Sequence, residues 1–255
     1  MIVVQGVDAL EAAVGRLFVV VGVFDGLHRG HQYLLRRLVQ GARARAARPT
    51  VITFDHHPDE ILVGAAPPLL CDPAERQDRL AAAGVEVTVV QHFDEALRHT
   101  PYDAFIDRIR ARAALAGFLM IPDAAFGHER RGTPATVAAY GAEVGFEVEV
   151  VPAFTLDGRP VRSTDIRSAI EAGDLATARR LLGRRLAVVG TAAPDGGARS
   201  DVTFALPVAL PPDGVYPVDA AVGTRRAIRG EAVVSAAAIG LDRPVEGRVR
   251  VTFAS

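Results

Sequence analysis

Three β-branched residues in a row, Val19, Val20 and Val21, end abruptly at Gly22. A run that short and that branched predicts a buried parallel strand, not a helix. From Gly30 onward Leu34, Leu35 and Leu38 recur at helical spacing, so a helix is expected to run toward Arg48. Residues 51–54 predict a second strand, closed by Asp55, His56, His57 and Pro58. Strand, helix and strand make a right-handed βαβ unit, which brings both strand ends to one edge. His56 and His57 are then expected near His28 and His31.

The pattern continues in the same alternation. A short helical patch over 9–16 precedes the first strand, and residues 61–71, with Pro67 and Pro68, predict a loop. Residues 73–83 predict a helix capped by Asp72, and Gly84 stops it before a strand over 85–90. Phe93, Ala96 and Leu97 share one face of a short turn or helix. Pro101 opens a helix whose buried stripe is Phe105, Ile109 and Ala113. An apolar strand from Phe118 runs into Pro122 and Asp123, followed by a helix over 136–145 and a strand over 147–151. Ser163 or Thr164 is expected to cap a helix through Ile170, and a further helix over 174–182 ends at Gly183.

Residues 184–255 differ in kind. Short β-branched runs at 186–189, 202–204, 214–218, 231–236 and 248–253 alternate with turns, which predicts a small antiparallel sheet or barrel. The fold class expected is α/β, a Rossmann-like parallel-sheet domain over 1–183 followed by a small, mainly antiparallel β domain over 184–255.

Composition adds exclusions. The 255 residues carry a net charge of −1, which gives no support for a nucleic-acid-binding surface. All 29 basic side chains are arginine, so no lysine serves in catalysis. The single cysteine, Cys71, makes no internal disulfide. Residues 1–21 lack a signal-peptide pattern, and no apolar stretch reaches membrane-spanning length. The expectation is a cytoplasmic chain without membrane partners.

The candidate chemistry gathers where strands hand over to helices. His28 and His31 flank the start of the first helix, where free N–H groups and the helix dipole suit a phosphate. Their imidazoles can donate hydrogen bonds to phosphoryl oxygens or, if charged, neutralise developing charge. A helix-capping turn with surface histidines has the same spacing. The adjacent pair His56 and His57 splay apart, so no metal ligand set is predicted. A second segment, Val161 to Arg167 (VRSTDIR), places Ser163 and Thr164 at a helix start with Arg167 one turn on, close enough to fork onto a phosphate oxygen. A capping box with a surface arginine looks much the same.

GVFDGLHRGH, residues 22–31, resembles the signature of HxGH nucleotidyltransferases, and in its longer form that of the bacterial bifunctional riboflavin kinase/FAD synthetase family. That family's T-F-x-P-H-P segment is matched by Thr53 to Pro58, with His57 and Pro58 retained and His56 in place of the first proline. Its G-x-D/N-F-x-F-G segment is matched by Asp123, Phe126, Gly127 and Gly132, with Ile121 and Ala124 departing. Its I/V-S-S-T-x-I-R is matched except that Arg162 replaces the first serine. Over residues 184–255 the resemblance is skeletal. Gly183, Arg184 and Gly190 echo the riboflavin kinase barrel, but the G-R-x-L-G-F-P-T-A-N segment that holds Mg-ATP there has no counterpart.

The resemblance implies AMP transfer from ATP to FMN, giving FAD and pyrophosphate, with the kinase activity lost. It assigns His28, His31 and Asp123 to catalysis. Gly22, Phe24, Asp25, Gly30, His57, Pro58, Phe126, Gly127, Ser163, Thr164 and Arg167 are assigned to ATP and FMN, with Mg²⁺ bridging the phosphates. Two alternatives stay open: a transferase of this class with another phosphorylated acceptor, and a silent nucleotide- or flavin-binding protein. A role for the β domain at the interface of a homo-oligomer is also left open.

Overall fold

In a computed structural model, which describes residues 1–223 and 225–254, the chain divides into two compact units. The first comprises residues 1–24, 30–66 and 77–155. The second comprises residues 25–29, 67–76 and 156–255.

The first unit is built on six strands: β1 (Ile2–Gln5), β2 (Leu17–Val21), β3 (Arg48–Phe54), β4 (Val87–Gln91), β5 (Leu115–Met120) and β6 (Glu147–Val150). They form one sheet in the order β1-β4-β3-β2-β5-β6, with every pairing parallel. Parallel neighbours need crossovers, and α1 (Arg29–Ala44) and α5 (Tyr102–Arg110) supply two of them. α4 (Glu95–Arg98) shares the β4-to-β5 connection with α5, β3 connects to β4 through α2 (Asp59–Leu62) and α3 (Pro73–Ala82), and β5 to β6 through α6 (Pro134–Val144).

β2 is buried at four of its five positions, which is why it reads as a continuous apolar run without alternation. Its partners β3 and β5 lie on opposite sides, so the strand order reverses at β2. In a doubly wound sheet that reversal opens a crevice at the carboxyl ends of the strands.

Two local expectations fail. The segment before β2 holds not a helical patch over 9–16 but two single 3₁₀ turns, Val7–Ala9 and Ala12–Val14, preceded by edge strand β1. Gly6 and Gly15, both at positive φ, break the chain around those turns. Arg162, not Ser163 or Thr164, occupies the N-cap position of α7 (Ser163–Glu171), and no side chain caps it. Ser163 instead donates to the carbonyl of Asp25 at 3.4 Å.

The second unit holds α7, α8 (Leu175–Leu182) and a closed barrel. Around the barrel the strands run Ser200–Thr203, Ala238–Leu241, Ile228–Ser235, Gly214–Val222, Gly247–Phe253 and Ala187–Pro194, each antiparallel to its neighbours. Val202, Val234, Ile239, Val249, Val251 and Phe253 fill its interior. Gly190 is required where strands cross closely: a Cβ there would meet the carbonyl of Thr203 at 2.6 Å. Strand 238–241 has no β-branched run in its sequence beyond Ile239, which hid it from pattern reading.

Candidate active site

In the first unit the crevice at β2 is a cavity of ≈ 790 Å³. Its floor comes from the carboxyl ends of the central strands and the residues just beyond them: residues 20–24 at the end of β2, Phe54 as the last residue of β3, Phe93 beyond β4, and Met120 and Ile121 at the end of β5. Aromatic rings dominate it. Phe118 stacks on Phe126 at 5.7 Å, and Phe54 meets Phe93 edge-on at 5.4 Å. Such a wall binds a flat apolar ring through dispersion and quadrupole contacts.

Of the residues singled out in the sequence, Gly22, Phe24, His31, His57, Pro58, Phe126 and Gly127 line this cavity. Gly22 N–H donates to Ile52 O at 3.0 Å and Thr53 Oγ1 to Val23 O at 2.9 Å, so β3 fixes the turn that follows β2. Phe24 holds a left-handed φ of 53° and packs its ring 5.0 Å from that of His31. A left-handed non-glycine residue costs about 1–2 kcal/mol, so the turn is held by its surroundings. Asp59 N–H donates to Nδ1 of His57 at 3.2 Å, which in the neutral ring leaves the hydrogen on Nε2. Gly127, at φ 76°, is the one residue type that fits its place: a Cβ would lie 2.6 Å from the Tyr102 nitrogen.

Gly30 sits in the first turn of α1 and does not line the cavity. Asp123 lies exposed on the turn after β5, its carbonyl accepting from Arg130 at 3.4 Å, and it too is outside the lining. Sequence reading missed Phe54, Phe93, His99, His128 and Arg130, all of which line the cavity. For Phe54 and Phe93 the signal was available in their position at, or two residues beyond, the end of a strand. The others lie at the end of α4 (His99) and in a 3₁₀ turn (His128–Arg130), which only the fold gathers.

The second unit contains a buried ionic group. Asp25 receives the Leu70 N–H on both carboxylate oxygens at 3.0 Å, and Arg167 pairs with it at 2.5 Å. Arg167 Nε also donates to Pro68 O at 2.7 Å. Burial pushes the Asp25 carboxyl up, while the Leu70 amide, Arg167 and Arg76 pull it back down. His28 is 4 % exposed. Burial, reinforced by the charges of Arg184 and Arg167, lowers its pKa from 6.5 to about 4. It is therefore neutral at pH 7 in the free protein, a hydrogen-bond donor rather than a cation. Ser163 is half-buried and Thr164 exposed at the start of α7, where unpaired N–H groups suit an anion.

A family model described as FAD synthetase matches residues 11–165. A bifunctional riboflavin kinase/FMN adenylyltransferase from Haemophilus influenzae is 35% identical over 172 residues, covering 67% of this chain and 56% of that protein. One from Pseudomonas fluorescens is 31% identical over 191 residues, covering 74% and 61%. The chain thus spans about 56 to 61% of the length of these two relatives. A crystal structure described as a macrolide-efflux protein from Streptococcus pneumoniae superposes with a TM-score of 0.83 at 25% identity, covering 99% of this chain and 88% of that one. No helix among the described residues is long and apolar enough to cross a membrane. The match over residues 11–165, most of the chain, together with these relatives, places the protein in the FAD synthetase family, alongside the bifunctional riboflavin kinase/FMN adenylyltransferases.

Proposed function

We propose that this chain transfers AMP from Mg-ATP to FMN, releasing pyrophosphate and forming FAD. The observation that carries the reading is the aromatic cavity at the sheet's reversal point, with His31 in its wall. An oxygen of the FMN phosphate attacks the α-phosphorus of ATP in line. The new P–O bond forms as the bond from the α-phosphorus to the bridging oxygen breaks, and pyrophosphate takes the electron pair. The attacking phosphate monoester is already anionic, so positioning and charge stabilisation suffice without a base.

In this reading Phe54, Phe93 and Phe126 flank the flavin, with Phe118 buried behind Phe126, and His57 and Pro58 stand on the FMN side. His31 and His28, three residues apart across the start of α1, donate to the oxygens of the five-coordinate centre. Ser163, Thr164 and Arg167 hold the outer phosphates. Asp25 and the Pro68 carbonyl hold the Arg167 guanidinium in place, which leaves its other N–H groups for phosphate oxygens. Gly22, Phe24 and Gly30 shape the turn that admits the nucleotide, and Asp123 is assigned to the nucleotide's side. The Asp25 carboxylate is engaged by Arg167 and Leu70, so a Mg²⁺ ion would be held by the oxygens of the triphosphate and would supply charge neutralisation there. We place the enzyme in the cytoplasm. We assign residues 1–183 to the transferase module and 184–255 to a kinase-like barrel that has lost its Mg-ATP segment.

The test is to incubate the full chain with Mg-ATP and a panel of phosphorylated acceptors that includes FMN, and to identify products by mass. FAD with equimolar pyrophosphate is expected. An adenylylated product from a different acceptor only, or flavin binding without turnover, would overturn the assignment.

A further inference from the structure

At the carboxyl ends of β3 and β4 three side chains meet that adenylyl transfer does not use. Asp55 Oδ2 lies 2.6 Å from His92 Nδ1, and Asp55 Oδ1 lies 3.2 Å from His56 Nδ1. One ligand atom from each residue falls within 4.8 Å of the other two. The two imidazole rings stand nearly perpendicular, centroids 5.9 Å apart. The backbone presets the arrangement: Asp55 N–H donates to Gln91 O at 3.2 Å, and Asp55 Oδ1 accepts from His56 N–H at 2.8 Å and Phe93 N–H at 3.3 Å.

We propose that Asp55, His56 and His92 form a three-ligand site for a divalent transition metal of the zinc class, separate from the Mg²⁺ that accompanies ATP. Two imidazoles and a carboxylate are the donors such ions take, whereas Mg²⁺ prefers oxygen ligands throughout. Metal–ligand bonds of about 2.0–2.2 Å set tetrahedral neighbours about 3.4 Å apart. The Asp55–His56 contact of 3.2 Å is already near that spacing, while the Asp55–His92 contact of 2.6 Å is a direct hydrogen bond that a bound ion replaces as the exposed His92 ring rotates outward. The side chains of His56 and His92 are 49% and 62% exposed, which leaves a coordination position open to water or an anion. His56 stands where the family's T-F-x-P-H-P pattern has proline, so this chain gains a ligand at that position. Phe54, His57 and Phe93, next to the ligands in sequence, line the aromatic cavity, so the ion would tie together two strand ends that form its wall.

The test is a Co²⁺ titration of the tag-free full chain in excess Mg²⁺, followed by visible d–d absorption and repeated with Zn²⁺ in competition. One saturable equivalent that Zn²⁺ displaces is expected. His92→Gln and His56→Pro should each weaken Co²⁺ binding about tenfold or more, because loss of an outer-shell partner alone commonly costs about that much and these residues are ligands. Far-UV circular dichroism checks that each variant is folded, and His56→Ala replaces His56→Pro if proline prevents folding. His99→Gln, which alters the separate His99–His128 pair, should bind like the parent. Absence of one-equivalent binding at millimolar Co²⁺ would overturn the proposal. So would unchanged affinity in both the His92 and His56 variants, or loss of binding in His99→Gln.

Discussion

Replacing His28 with glutamine should flatten the acid side of the stability profile. A histidine whose pKa falls from 6.5 to about 4 on folding is buried neutral. Between those values the unfolded chain binds a proton that the folded chain refuses. The stabilisation is therefore complete above 6.5 and is lost as pH falls from 6.5 toward 4. Each pH unit in that window is worth about 1.4 kcal/mol, so moving from pH 7 to pH 5 removes about 2 kcal/mol. Glutamine keeps a donor of similar reach and holds no proton. Urea unfolding of the parent and His28→Gln at pH 7 and pH 5 isolates the difference, because Asp25 and the other carboxylates titrate in both. The parent should lose about 2 kcal/mol more than the variant over this interval. Equal losses would show that His28 is not held neutral and would remove the physical basis for treating it as an uncharged donor.

Other outcomes follow from the same geometry. His31→Ala and His28→Ala should each lower turnover about a hundredfold, or about 3 kcal/mol, with little change in ATP affinity; near-normal kcat in both would remove them from catalysis. Arg167→Lys should raise the Michaelis constant for ATP while leaving that for FMN nearly fixed, because lysine keeps the charge paired with Asp25 but not the fork; a selective loss of FMN use would move Arg167 to the acceptor. Gly127→Ala should lower the thermal midpoint and weaken FMN binding, since the new Cβ would press on the Tyr102 backbone from a left-handed conformation; an unchanged midpoint would contradict that packing. Riboflavin with Mg-ATP should yield no FMN, as read by chromatography, and FMN formation abolished by a change within residues 190–250 would restore the kinase assignment.

Much of this was legible in the sequence, for identifiable reasons. Strand β2 announces itself because burial on both faces leaves an unbroken apolar run, and β3 is visible through its β-branched centre, Thr50 to Thr53. Strand β1 does not: Ile2 and Val3 are 42% and 45% exposed on a sheet edge, so its four residues carry no pattern longer than chance. The strand-end motifs around His28, His31, Ser163 and Arg167 were visible as local residue choices. What they contact was not. Asp25 and Arg167 are 142 residues apart, and the neutrality of His28 depends on burial and on Arg184, which local spacing does not report. The same holds for Asp55, His56 and His92, which the adjacency of His56 and His57 concealed: His57 turns to the cavity, while His56 and His92 share Asp55.

The most direct measurement follows the label from ATP. With the purified chain, FMN and Mg-ATP carrying a radioactive α-phosphorus, the label should appear in FAD one-for-one with flavin consumed, and the pyrophosphate should be unlabelled. Labelled AMP without FAD, or label from the γ-position entering the flavin, would contradict adenylyl transfer to FMN.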